Sequence, residues 1–215
     1  MTMSHKSVMA PNAIDVRVSS TAESTLRATP AMLRGYHRAP PMKPSDHAAD
    51  HSPLRANDMT VVLVVSGYHA DISGTLANGA RRAFEKAEGR SDRLEQIMAP
   101  GAFELPVIAA AAAQRADVDA VVAIGCVLTG ETSHDRYISD AVAHGLMRVG
   151  LDSGKPVCFG VLTCATIEQA RARAGGAKGN KGEEAMSAAL RAVAAIRSLS
   201  GGSVGGPPRG AGLLR

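Results

Sequence analysis

Residues 119–137 read DAVVAIGCVLTGETSHDRY. After Asp119, the seven residues AVVAIGC are an apolar run with no polar residue inside it. A strand with one face in water alternates apolar and polar side chains, whereas one covered on both faces does not, so this run reads as a doubly buried strand. It passes into Gly130, Glu131, Thr132 and Ser133, a small polar turn. From His134 onward Ile138, Ala141, Val142, Gly145, Leu146 and Val149 keep one face of a helix, which should end near Gly154. A junction of this kind leaves backbone N–H groups without partners unless a side chain caps the helix or a ligand binds there.

The same alternation extends in both directions. MTVVLVVSG, 59–67, is a first doubly buried strand, and residues 71–88 carry Ile72, Leu76, Ala80, Ala83, Phe84 and Ala87 at helical spacing. RLEQIMA, 93–99, is a second strand; PGAFE is a turn, and residues 104–115 form an Ala-rich helix. KPVCFGVLT, 155–163, is a fourth strand, followed by a short helix over 166–174 and a longer one over 182–199, split by the loop GGAKGNKG. Strands alternating with helices of this length predict an α/β protein: a parallel four-stranded sheet in a three-layer αβα sandwich, flavodoxin-like, with right-handed crossovers. Residues 1–57 show no sustained periodicity and hold Pro11, Pro30, Pro40, Pro41, Pro44 and Pro53. They offer too little apolar surface to offset the entropy of ordering, so a disordered extension is expected there, a folded domain over 58–200, and a flexible tail over 201–215.

Composition narrows the function. Hydrophobic residues make up 45% and aromatic residues only 3%, so the core must be aliphatic. The net charge of +4 comes largely from the two ends, and no basic stripe interleaved with aromatics is present, which argues against a nucleic-acid surface. Cys126, Cys158 and Cys164 sit in apolar segments without metal-site or disulfide spacing and read as reduced thiols of a cytoplasmic protein. No apolar run approaches the ~18 residues of a membrane span, and the N-terminus lacks the apolar segment of a secretory signal. The N-terminal Ser, Ala and Arg suit an organellar transit peptide, against which Asp15, Glu23, Asp46 and Asp50 speak.

In such folds ligands sit beyond the carboxyl ends of the strands. After the first strand come Gly67, Tyr68 and His69; after the second, Pro100, Gly101, Ala102, Phe103 and Glu104; after the third, the stretch quoted above; after the fourth, Thr163 and a helix carrying Arg173. The turn into the third helix, with Thr132 or Ser133 able to cap it, offers an anion site at a helix N-terminus, although an ordinary cap would account for the same residues. His134 in the first turn is a candidate proton carrier or a solvated surface residue. Phe103 with Glu104 suits a polar heterocycle or a polyol, and Arg173 and Lys181 suit a phosphate. Each is ordinary alone; their placement at the ends of successive strands is not.

PGAFELP, GCVLTGETSHDRY, PVCFGVLT, TIEQARARAG and KGNKG, in that order, resemble the 6,7-dimethyl-8-ribityllumazine synthase family over about residues 59–199. The resemblance implies a transferase that condenses 5-amino-6-(D-ribitylamino)uracil with 3,4-dihydroxy-2-butanone 4-phosphate in riboflavin biosynthesis, with no metal or organic cofactor. It implies His134 as the catalytic histidine. Gly130, Glu131, Thr132, Arg173 and Lys181 match the site of the butanone phosphate. Ala102, Phe103 and Glu104 match the segment holding the ribityl chain and pyrimidine. Cys126, Val127 and Leu128 match backbone contacts to the pyrimidine, Tyr68 an aromatic that stacks on it, and Phe159 a residue delivered from a neighbouring subunit.

The resemblance further implies a homo-oligomer: a ring of five, and in shell-forming members twelve such rings, with riboflavin synthase as a further partner. The uninterrupted run Arg173 to Gly182 looks like that of shell formers, residues near 55–60 are expected to add a strand to the adjoining subunit, and the preceding extension is expected outside the shell. Two positions depart from the pattern. Gly67-Tyr68-His69 stands where many members have Arg-Phe-Asn, and Thr129 where a basic residue is common. These departures sustain a second reading, a paralogue that binds or stores a flavin or lumazine in a shell and turns over slowly.

Overall fold

A computed structural model of the chain describes residues 54–201. The segments expected to form the bulk of the disordered extension, 1–53, and the tail, 202–215, lie outside the described residues. Four strands, β1 (Val61–Ser66), β2 (Leu94–Ala99), β3 (Ala120–Leu128) and β4 (Val157–Cys164), form one parallel sheet in the order β2-β1-β3-β4. Helices α1 (Ala70–Lys86), α2 (Leu105–Gln114), α3 (His134–Ser153), α4 (Ile167–Arg173) and α5 (Lys181–Gly201) connect or follow them. This is the flavodoxin-like three-layer arrangement expected from the alternation of elements.

The strand pattern explains the layers. β1 and β3 are central, and every residue of β1 is buried. Its alternate side chains enter different cores: Val61, Leu63 and Val65 pack with Leu76, Phe84, Met186 and Leu190 of α1 and α5, while Val62 and Val64 pack with Leu105, Ala109, Val142 and Leu146 of α2 and α3. A strand between two apolar layers favours apolar side chains on both faces, which is why the run in β1 is unbroken up to Ser66 at its end. The edge strand β2 carries exposed Glu95, Gln96 and Met98. α3 stops where the sequence places its end, with Gly154 in the left-handed region at φ 66°.

Two segments carry more local structure than the sequence indicated. At the end of the stretch read as disordered, Ala56 is buried and its N–H donates to the Ala87 carbonyl at 2.7 Å. The GGAKGNKG loop folds as a small antiparallel pair, β5 (Ala174–Gly176) with β6 (Gly179–Asn180), with Gly175 and Gly179 at positive φ. Buried Asn180 ends this pair and caps α5, its Oδ1 accepting from the N–H groups of Gly182 and Glu183 while its Nδ2 donates to the Thr75 carbonyl of α1 at 3.0 Å. A Cβ on Gly79 would strike this side chain, and one on Gly182 would strike the Leu76 carbonyl, so α1 and α5 approach closely here. Asn180→Ala leaves three backbone groups, that of Gly182 buried, without their partner and is expected to cost about 2 kcal/mol. A lowered thermal midpoint checks this.

Candidate active site

The chain runs from β1 out to β2 and then back across to β3, so the sheet reverses its winding between β1 and β3. At such a switch point the helices leave in opposite directions and open a crevice at the carboxyl ends. A cleft of about 670 Å³ lies there, within the usual range for a small-molecule site. Its walls come from the ends of the first three strands. Tyr68 and His69 follow β1; Gly101, Ala102, Phe103 and Glu104 follow β2; Cys126, Val127 and Leu128 end β3, with Gly130, Thr132 and His134 beyond them.

Each wall has a local cause. The Tyr68 N–H donates to Ser66 Oγ at 3.3 Å and the Tyr68 carbonyl accepts from Ser73 Oγ at 3.1 Å, so the turn is tied at both sides while the ring stands 67% exposed. Pro106 near the start of α2 fixes the entry of that helix, and Ala102 is buried while the neighbouring Phe103 ring is exposed. Glu104 occupies the cap position of α2 without a capping side-chain bond, which leaves its carboxylate available to the cleft. The Cys126 thiol is pushed up to about 11, chiefly by burial and then by Cys164 and Asp71. It is therefore protonated near neutral pH and no nucleophile, and its segment can contribute main-chain groups and apolar surface.

At the third junction Ser133 takes the cap position of α3, yet neither it nor Thr132 makes the capping side-chain bond that the sequence suggested. The positive end of a 20-residue helix dipole is left uncapped beside the cleft, which strengthens the anion-site interpretation over that of an ordinary cap. His134 opens the helix and is exposed.

Ten of the residues singled out in the sequence meet at this cleft: Tyr68, Ala102, Phe103, Glu104, Cys126, Val127, Leu128, Gly130, Thr132 and His134. Four do not line it within one protomer. Glu131 faces solvent next to the wall. Phe159 lies in the middle of the edge strand β4, 45% exposed, on the same side of the sheet as Val157 and Val161 and hence on the α3 side. Arg173 donates from Nη1 to the Gln169 carbonyl in the last turn of α4, and Lys181 pairs with Glu184 at 2.6 Å. Conversely, Asp135, Tyr137 and Ile138 line the cleft and were not assigned a role. Helical spacing was the available signal for two of them, since Tyr137 and Ile138 lie three and four residues after His134 on one face of α3.

The sequence profile of the 6,7-dimethyl-8-ribityllumazine synthase family matches residues 58–197. The chain belongs to this family. Two relatives carrying that name, from two strains of Thermus thermophilus, are each 41% identical over 147 residues, covering 68% of this chain and 94% of the relative. Family membership makes the chain an enzyme, a transferase of the lumazine synthase type in riboflavin biosynthesis. Among the described residues no helix is long and apolar enough to cross a membrane.

Proposed function

We propose that the chain condenses 5-amino-6-(D-ribitylamino)uracil with 3,4-dihydroxy-2-butanone 4-phosphate, releasing phosphate and forming 6,7-dimethyl-8-ribityllumazine. The observation that carries this reading is the convergence of ten motif residues from three strand ends on one cleft. Tyr68 and Phe103 supply flat faces for the pyrimidine, Glu104 an acceptor for ribityl hydroxyls, and the end of β3 main-chain groups for the ring edge. The uncapped start of α3 receives the phosphate, and His134 in its first turn moves protons during imine formation and phosphate loss. Bringing an amine and a ketone together in the right orientation supplies much of the acceleration, so one histidine suffices beside a positioned pair.

The protomer alone is an incomplete site. Its cleft is lined by Glu104 and Asp135 but by no Lys or Arg, which suits a dianion poorly. Phe159, Arg173 and Lys181 are instead presented elsewhere on the surface, and Tyr137, Met147 and Leu151 of α3 and Val107 of α2 remain exposed. A neighbouring copy that covers these apolar side chains and brings Phe159, Arg173 and Lys181 to the cleft resolves both facts. The assembly proposed is a cytoplasmic ring of five, packed further into a shell of sixty, with riboflavin synthase as its companion.

The test is incubation of purified protein with both substrates while lumazine fluorescence is followed, with light scattering of the same sample. Steady turnover by an oligomer is expected. Stoichiometric binding without turnover would favour the storage-shell reading, which the departures at Gly67, Tyr68, His69 and Thr129 support. An active monomer would refute the shared site, and a stable free pentamer would refute the shell alone.

A further inference from the structure

His69 belongs to none of the roles assigned above, yet it lines the cleft beside Tyr68. It is one of two non-glycine residues at positive φ among the described residues, at φ 51° and ψ 53°. Histidine is among the side chains enriched in that region, and residues held there collect at functional sites. The conformation is fixed from the helix side, because the Ile72 and Ser73 N–H groups both donate to the His69 carbonyl at 2.9 Å. The two adjacent rings are thereby set with centroids 5.0 Å apart and planes crossing at 86°, an edge-to-face contact.

Tyr68 needs such a brace. Its backbone is held on both sides by Ser66 and Ser73, but its ring is 67% exposed. A ring free to rotate loses that freedom when a ligand stacks on it, and the loss is subtracted from binding. We propose that His69 is a positioning residue: its imidazole limits the Tyr68 ring to the orientation that receives the planar heterocycle, and so sets affinity for that substrate and not for the phosphate-bearing one. The proposal rests on the pyrimidine being the occupant of this end of the cleft.

The experiment is steady-state kinetics with both substrates on the wild type, His69→Asn, Tyr68→Ala and the double variant. Asparagine tolerates the same backbone conformation but removes the ring. His69→Asn is expected to raise KM for the pyrimidine about three- to ten-fold, the range of an edge-to-face aromatic pair, with kcat, the KM for the phosphate substrate and the thermal midpoint unchanged. In the Tyr68→Ala background the same change is expected to have no further effect, because its route of action is gone. An unchanged pyrimidine KM, an equal rise in both KM values, or a full additional effect without Tyr68 would overturn the proposal while leaving the reaction standing. Absence of turnover by the wild type would overturn the proposed function and this inference together.

Discussion

His134→Ala is expected to lower kcat by about 10²-fold, the lower end of the range for a general acid–base group, with the fold intact. The residue sits at the first position of α3, exposed, where its removal opens no cavity and takes away no capping bond. A loss confined to catalysis should therefore appear in kcat, with the thermal midpoint and far-ultraviolet circular dichroism of the variant matching the wild type. The lower end of the range is expected because the reaction is a condensation between two bound partners, and the gain from holding them together survives the substitution. Stopped-flow lumazine fluorescence at saturating substrate gives the number. An unchanged kcat near neutral pH would remove His134 from the mechanism.

The sheet and its connections were legible because both physical signals behind them are local. The runs at 61–65 and 120–128 are apolar throughout, and only burial on both faces permits that. The helices between them show a single apolar face, and chain order then leaves few topologies. The strand ends were legible as well, since a parallel sheet sends its loops to the same side and the motif residues follow the strands directly. What was not legible depends on distance. The cap of α5 by Asn180 is itself local, but the side chain is anchored on the carbonyl of Thr75, far away in sequence, and the loop composition gave no reason to expect a paired segment. The cap that Thr132 or Ser133 was able to provide is absent for a local reason: at Ser133 the turn has φ −75° and ψ 11°, not the extended backbone that presents a capping side chain. The cleft residues Tyr137 and Ile138 carried a signal only once His134 was taken as one face of a helix. Phe159, Arg173 and Lys181 could be recognised through their motifs, but the geometry of one protomer does not bring them to the wall.

That separation yields the second large effect. Arg173→Ala is expected to raise KM for the butanone phosphate about ten- to a hundred-fold, as the loss of one charge-assisted hydrogen bond requires, with the pyrimidine KM nearly unchanged. Arg173 is half-buried at the end of α4, where its described partner is a main-chain carbonyl of its own helix, so its removal breaks no ion pair described within the protomer. Equal effects on both substrates would sink the phosphate assignment. A mixing experiment then asks which copy supplies the guanidinium. Subunits carrying His134→Ala and subunits carrying Arg173→Ala are each impaired, and in a ring every cleft of the proposed kind takes its histidine from one copy and its arginine from the next. If the two variants are dissociated together and reassembled at random, about one cleft in four pairs an intact histidine with an intact arginine, and activity should return to about that fraction of wild type. The same variants mixed without dissociation should show no recovery. Failure to recover after verified co-assembly would mean that His134 and Arg173 serve the same protomer's cleft. The cation would then have to reach it by a rearrangement of α4, because the wall seen in one copy carries acids and histidines but no Lys or Arg.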